Sequence, residues 1–490
     1  MSKGVTPKSQ DYSRWYTDII TKAELADYGP VKGTMVIKPY GYSIWESLKE
    51  AFDKRFKETG HVNAYFPLFI PKSFLSKEAK HVEGFAKECA VVTHSRLKNS
   101  ESGSGIVVDP DSKLDEEIIV RPTSETVIWS MYKKWINSYR DLPILINQWA
   151  NVVRWEMRTR LFLRTSEFLW QEGHTAHSTE SEAIAEARKM LEVYKEVVEN
   201  VMAVPVLTGT KSESEKFAGA IDTYCIEAMM GDKKALQAGT SHYLGQNFAK
   251  AFDVKFQSED NKEEFVYATS WGVSTRLIGA LIMVHGDDKG LRLPPKLAPI
   301  QVVIIPIFKS DDDLEKIKVF LSNIFEEFKI NNIRFHLDSR KKISPGYKFN
   351  EWEMKGVPIR IEVGQRDINS NSIFVARRDT NEKKSININD GFKKIQELIN
   401  DIQDNLFNTA KRFRDDNTFV TNNYSEFKNI VNSGGFVECG WDGKIETEDK
   451  IKKETKATIR CIPFNNNAEN LKCIYTQELA KYRVIFAKAY

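Results

Sequence analysis

Residues Asn151–His177 read NVVRWEMRTRLFLRTSEFLWQEGHTAH. Two strand-like pieces, Asn151–Arg158 and Phe162–Glu172, are separated by a short turn, which favours antiparallel pairing. On a strand over 152–158 the side chains alternate, so Arg154, Glu156 and Arg158 share one face and Val153, Trp155 and Met157 the other. On the returning piece Arg164, Phe168, Trp170, Glu172 and His174 share a parity. Arginines, carboxylates and aromatic rings together are costly to bury and odd to leave bare. Arginine's planar fork suits a phosphate, an aromatic face suits a purine, and a carboxylate accepts from an exocyclic amine. The set describes a nucleoside triphosphate on an open antiparallel sheet, and it reads equally as a solvated, salt-bridged surface. No Walker A loop and no G-x-G-x-x-G after a strand is present, so a bound triphosphate would rest on arginine side chains.

Outward from this stretch, helices are expected at Ser43–Lys57, with Trp45, Leu48, Phe52 and Phe56 on one face, and at Ser181–Met202, opened by Thr179 and Glu182 as a capping box. The first block therefore reads as an α+β domain on an antiparallel sheet. Three prolines within Leu293–Pro299 interrupt any helix or central strand. After them come an apolar strand at Ile300–Phe308, an amphipathic helix at Asp311–Ile330, strands at Arg334–Asp338, Pro358–Val363 and Ile373–Arg377, and a helical stretch at Tyr347–Met354. Strand and helix in alternation predict a small α/β domain with parallel pairs. A second break near Asp415–Asn417 gives three domains: 1–293, 300–410 and 411–490. Asn99–Gly105, rich in Ser, Gly and Asn, reads as a surface loop.

At 490 residues, 41% hydrophobic and 28% charged, the chain has ordinary globular composition and room for several cores. Its net charge of +3 excludes a uniformly basic nucleic-acid binder, so any polyanion must meet local patches. The longest apolar run, Leu277–Val284, falls short of the roughly 20 residues of a membrane-spanning helix, and no apolar leader begins the chain. Five cysteines in so long a chain argue against a disulfide framework and for a reducing, cytoplasmic setting.

VVRWE followed by FLRTSEFLWQEGHTAH resembles motif 2 of the class II aminoacyl-tRNA synthetases, specifically the prolyl-tRNA synthetases of the archaeal and eukaryotic type. VKGTMVIKPYGYSIWESLKEAFDKRF with NAYFPLFIP resembles motif 1, and Val120–Glu125 (VRPTSE) resembles the proline-recognising loop. Leu236–Phe256 and Trp271–Pro295 resemble a further substrate segment and motif 3, with Arg276 as its arginine. PGYKFNEWEMKGVPIRIEVGQRD is similar to the family's anticodon-binding domain, and KYRVIFAKAY to its C-terminus. The resemblance spans nearly the whole chain and implies a class II catalytic domain, an α/β anticodon-binding domain and a small C-terminal α/β domain resembling a zinc-binding one.

It further implies ATP-dependent activation of L-proline to prolyl-adenylate and transfer to tRNA(Pro), in a cytoplasmic homodimer. Thr123, Glu125, Trp170 and His242 would bind proline. Arg154 would bridge the proline carboxylate and the α-phosphate. Glu156, Arg164, Thr165, Phe168, Gln237, Thr240, Ser274 and Arg276 would bind ATP, with Mg2+ held chiefly through the phosphates. Arg154 and Arg276 would be the catalytic pair. Thr123 and Glu125 also read as the start of a helix over Thr126–Tyr139, a use compatible with ligand binding. Glu353, Arg360, Arg366 and Asp367 match positions that read the anticodon guanines. They lie within Arg334–Lys384, whose 12 Lys/Arg against 7 Asp/Glu suit RNA and suit a plain solvated surface equally. Tyr490 resembles a terminal tyrosine whose carboxylate reaches toward the active site.

Two departures bear on function. Cys439 and Cys473 match two of the four cysteines of a structural zinc site, but the partner positions hold Lys444 and Thr476, so zinc is expected to be absent and the two thiols to be remnants. His174 and His177 lack a nearby cysteine and are discounted as a metal pair. The 104 positions from Glu172 to Arg276 leave no room for a large editing insertion, so misactivated alanine is expected to be corrected elsewhere. Two alternatives stay open: a ligase that adenylates proline without charging tRNA, and a non-catalytic tRNA-binding paralogue.

Overall fold

The computed structural model describes residues 4–77, 89–101, 103 and 105–490. Its dominant sheet is built from β1 (Val62–Asn63), β2 (Ile144–Val153), β3 (Glu167–His177), β4 (Val206–Thr210), β5 (Asp222–Met229), β6 (Ala235–Gly245), β7 (Tyr267–Ser274), β8 (Thr418–Val420), β9 (Phe436–Trp441), β10 (Thr458–Pro463) and β11 (Tyr482–Ala487). The spatial order is β8-β9-β11-β10-β4-β5-β6-β7-β3-β2-β1, antiparallel except at the two outer pairs. The expected antiparallel sheet is present. The C-terminal segment continues it through pairing of β10 with β4, a junction that motif order along the chain does not reveal.

One face of the sheet is covered by helices Pro39–Glu58 and Glu180–Asn200. Trp45, Leu48, Phe52 and Phe56, the face read from helical spacing, are buried against Tyr194, Trp149 and Trp271. Those residues serve this chain's own core. Helix Glu180–Asn200 opens with the expected Thr179 cap, its hydroxyl accepting the Glu182 N–H, but the reciprocal half of the capping box is not formed, because the Glu182 carboxylate accepts from the Ser178 hydroxyl instead.

The hairpin at 151–172 differs from the reading above. β2 ends at Val153, and 154–166 form a loop before β3 begins at Glu167. Leu161, Phe162 and Leu163, apolar enough to imitate a strand, are a loop tip plugged into the core, each at most 6% exposed. A short unbroken apolar run is common to a buried strand and a buried loop tip, so pattern alone cannot separate them.

The middle segment carries a five-stranded sheet ordered Phe335–Leu337, Val302–Ile307, Ile359–Gly364, Ser372–Arg377, Lys383–Asn387, parallel in its first three strands and antiparallel thereafter. The last strand has mostly exposed polar residues and left no hydrophobic signal. The single helix expected over 311–330 is two, Asp311–Phe320 and Ser322–Ile330; the apolar spacing runs unchanged across the break at Leu321 and so gave no sign of it. Helix Gly391–Asp416 leads from this sheet to the C-terminal strands, and passes the expected boundary at 410. Ser102 and Ser104 of the Asn99–Gly105 stretch lie outside the described residues.

Candidate functional site

β3, β6 and β7 bring their open face to a cavity of about 330 Å³. Period-two geometry explains the lining from β3: Phe168, Trp170, Glu172 and His174 all point into it, the parity legible in the sequence. Gln237, Thr240 and His242 enter from β6, Ser274 from β7 and Arg276 from the start of helix Arg276–His285. Thr123 and Glu125 come from the turn that opens helix Glu125–Trp135, and Arg154 from the first position after β2. Gly173 is needed between Glu172 and His174, since a Cβ there would lie 2.1 Å from the Trp271 ring beneath the cavity.

The cavity has two chemically distinct ends. At one, the Thr123 hydroxyl donates to the Glu125 carboxylate. Below lies a buried network: Glu172 accepts from Ser124 (2.5 Å) and Gln148 (2.8 Å) and faces the His174 Nε2 at 2.9 Å. Burial favours the neutral forms of both partners, but their mutual ion pair and hydrogen bond prevail, holding His174 above and Glu172 below their ordinary values. The buried His174 Nδ1 has no partner among the described residues. His242 stands beside Phe217 (ring centroids 4.6 Å apart), with Nδ1 engaged by the Thr223 hydroxyl at 2.9 Å. Burial, reinforced by nearby His174, lowers His242 to about 3, so it is neutral at physiological pH.

Arg154, within electrostatic reach of Glu125 and Glu172, lies over Phe168 (5.6 Å) and Trp170 (5.5 Å) and donates Nε to the Pro122 carbonyl at 3.0 Å, while Arg276 marks the other end. Arg276 donates Nε to the Leu163 carbonyl at 3.2 Å. Burial, then the like charges of Arg164 and Arg154, lower Arg276 to about 10. Converging guanidinium groups that repel one another form a ready receptor for a polyanion.

Of the nucleotide residues expected from sequence, Glu156, Arg164 and Thr165 do not line the cavity. They sit in the 154–166 loop, where Arg164 approaches Glu156 to 3.9 Å and the Thr165 hydroxyl donates to the Glu167 carbonyl. Glu172, His174, Glu215 and Phe217 line it without having been assigned roles. Strand parity could have nominated the first two. The latter pair lie in a polar loop, KSESEKFAGAI, that carries no periodic signal.

A second cavity, about 300 Å³, opens on the five-stranded sheet and is lined by Glu353 and Arg360 with Lys289, Phe349, Arg377 and Lys383 among others. Arg366 and Asp367 stand outside it. The Asp367 carboxylate accepts the Gly364 N–H at 2.8 Å and so caps a short helix. In the C-terminal segment Cys439 and Cys473 are buried, with Cys439 pushed up by burial and by Cys473. Lys444 is exposed and pairs with Glu478 at 2.9 Å. Two thiols, an ammonium and a threonine hydroxyl do not fit a four-ligand zinc site. Tyr490 does not line the first cavity. Its phenol donates to Asp232 at 2.6 Å, and its N–H donates to the Ala235 carbonyl near the start of β6.

An antiparallel sheet presenting arginines and aromatic rings to one cleft, with no glycine phosphate loop, defines a class II aminoacyl-tRNA synthetase, and residues 107–285 match the family described as tRNA synthetase class II core domain (G, H, P, S and T). Residues 301–398 match an anticodon binding domain, and 424–490 match the family described as prolyl-tRNA synthetase, C-terminal. The chain is 59% identical to a proline–tRNA ligase of Phocaeicola vulgatus over all of this chain and 99% of that one. It is 60% identical to one of Cytophaga hutchinsonii and 58% identical to one of Flavobacterium psychrophilum, each over the full length of both chains. The chain belongs to the prolyl-tRNA synthetase family. These relatives are bacterial, so the comparisons support the family and not the archaeal and eukaryotic type within it.

Proposed function

We infer that the chain is a proline–tRNA ligase, activating L-proline with ATP and transferring the prolyl group to the 3′ end of tRNA(Pro). The observation that carries this reading is the single cavity in which Arg154 and Arg276 meet Thr123, Glu125, Phe217 and His242. Glu125 pairs with the secondary ammonium of proline, and Trp170, Phe217 and neutral His242 enclose its ring. Arg154 orients the proline carboxylate against the α-phosphate. Phe168, Gln237, Thr240, Ser274 and Arg276 bind the nucleotide, with Glu156, Arg164 and Thr165 closing over it from their loop. A carboxylate oxygen of proline forms a bond to the α-phosphorus as the bond to pyrophosphate breaks. No side-chain nucleophile is needed, because positioning and neutralisation of charge supply the catalysis. Mg2+, when bound through the phosphates, adds further neutralisation of the triphosphate.

The same reading divides the chain into domains 1–293, 300–410 and 411–490, places anticodon guanines against Glu353, Arg360, Arg366 and Asp367, and has a cytoplasmic homodimer as the working unit. It includes a C-terminal domain that holds its fold without zinc, and the archaeal and eukaryotic architecture, supported by the short Glu172–Arg276 interval. No helix among the described residues is long and apolar enough to cross a membrane. Proline-dependent ATP–pyrophosphate exchange tests the first step, and charging of purified tRNA(Pro) the second. Exchange without charging would favour the tRNA-independent ligase, and absence of both the non-catalytic paralogue.

A further inference from the structure

The cavity wall carrying Glu215 and Phe217 belongs to the loop 211–221 between β4 and β5. Within the catalytic segment the loop is held by Lys216, which pairs with Glu213 and donates to the Ile221 carbonyl, by Asn247, which donates to the Gly219 carbonyl, and by turns in which the Glu215 N–H donates to the Ser212 carbonyl and the Ala220 N–H to the Phe217 carbonyl. Further anchors come from the C-terminal strands and from helix Ile445–Thr455. β10 pairs with β4 where the loop begins, Thr210 opposite Ile462. The buried Lys211 ammonium donates to Glu227 (2.6 Å) and to the Arg460 carbonyl (2.8 Å). The Ser212 hydroxyl donates to Glu448 at 2.9 Å. Glu215 then faces Lys452 Nζ at 3.2 Å and Arg460 Nη1 at 3.9 Å, both contributed by the C-terminal segment. Two residues further on, the Phe217 N–H donates to the Thr223 hydroxyl that also engages His242.

We propose that Lys452 and Arg460 are positioning residues of the amino-acid pocket: by pinning Glu215 they hold Phe217 against His242 and so shape the wall that encloses the imino-acid ring. The proposal rests on the reading of this cavity as the proline site. It gives the C-terminal segment a part in substrate recognition, exerted through one loop. Arg460 is also committed to Glu227 and its removal would disturb a buried ion network, whereas Lys452 is half exposed and separable.

The test is steady-state pyrophosphate exchange on full-length Lys452→Ala, with melting temperature measured alongside. The KM for proline should rise about two- to fivefold, the range for an exposed ion pair, while kcat, the KM for ATP and the melting temperature stay at wild-type values. Lys452→Arg should restore the KM, Lys452→Glu should exceed the alanine effect, and Lys453→Ala on the same helix should match wild type. The difference between wild type and Lys452→Ala should narrow at about 0.5 M salt, where the pair is screened. A wild-type KM for proline in both Lys452→Ala and Lys452→Glu overturns the proposal, as does a parallel change in the KM for ATP. Lack of exchange in the wild type would instead defeat the functional reading.

Discussion

Arg276→Met separates binding chemistry from folding. The substitution keeps an unbranched side chain at the start of helix Arg276–His285 and removes the guanidinium. The charged form of Arg276 is disfavoured by burial and by Arg164 and Arg154, and the drop from 12.5 to about 10 corresponds to roughly 3 kcal/mol. Water in the open cavity screens part of this, leaving about half. Loss of the hydrogen bond to the Leu163 carbonyl returns about 1 kcal/mol in the other direction. The apoprotein variant should therefore melt between the wild-type temperature and about 3 °C above it. Catalysis should behave oppositely, since removing one preorganised charge donor typically costs about 10²–10³ in rate. Scanning calorimetry with and without ATP, run beside proline-dependent exchange, reads both quantities. Stabilisation by ATP should vanish with the exchange. A variant that melts several degrees lower yet exchanges within tenfold of wild type would make Arg276 a structural residue and refute the argument.

Glu125→Gln should lower kcat/KM for proline by about 10- to 100-fold with little change in the KM for ATP, the loss of one charge-assisted partner, as measured by exchange at varied proline. His242, His177 and His285 are held at about 3, 4 and 4 by burial, so the unfolded chain binds more protons between those values and 6.5. Stability should then fall as pH drops from 7 to 5, by about 2 kcal/mol per histidine, and a melting temperature that stays flat over that range would contradict it. Elemental analysis of purified protein should find zinc far below one equivalent, and exhaustive chelation should leave the melting temperature unchanged. Alanine should support measurable exchange, because a proline pocket rejects it mainly through lost methylene contacts of about 1–3 kcal/mol each. Complete exclusion of alanine would show a specificity element not yet accounted for.

The residues on β3 were legible in order and parity because a strand's two-residue repeat is local, and the structure confirms that Phe168, Trp170, Glu172 and His174 share a face. The buried stripe Trp45, Leu48, Phe52 and Phe56 was legible for the same reason at helical spacing. The loop 154–166 was not, because the unbroken apolar run Leu161–Leu163 suits a buried strand as well as a buried loop tip. Pairing of β10 with β4, and the approach of Lys452 to Glu215, are contacts between residues more than 200 positions apart. Local chemistry sets which residues can bind a phosphate or an ammonium, whereas the long-range pairing of strands decides which of them reach the same cavity. No propensity or spacing encodes that pairing, because its free energy comes from burial and register established only when the whole sheet closes.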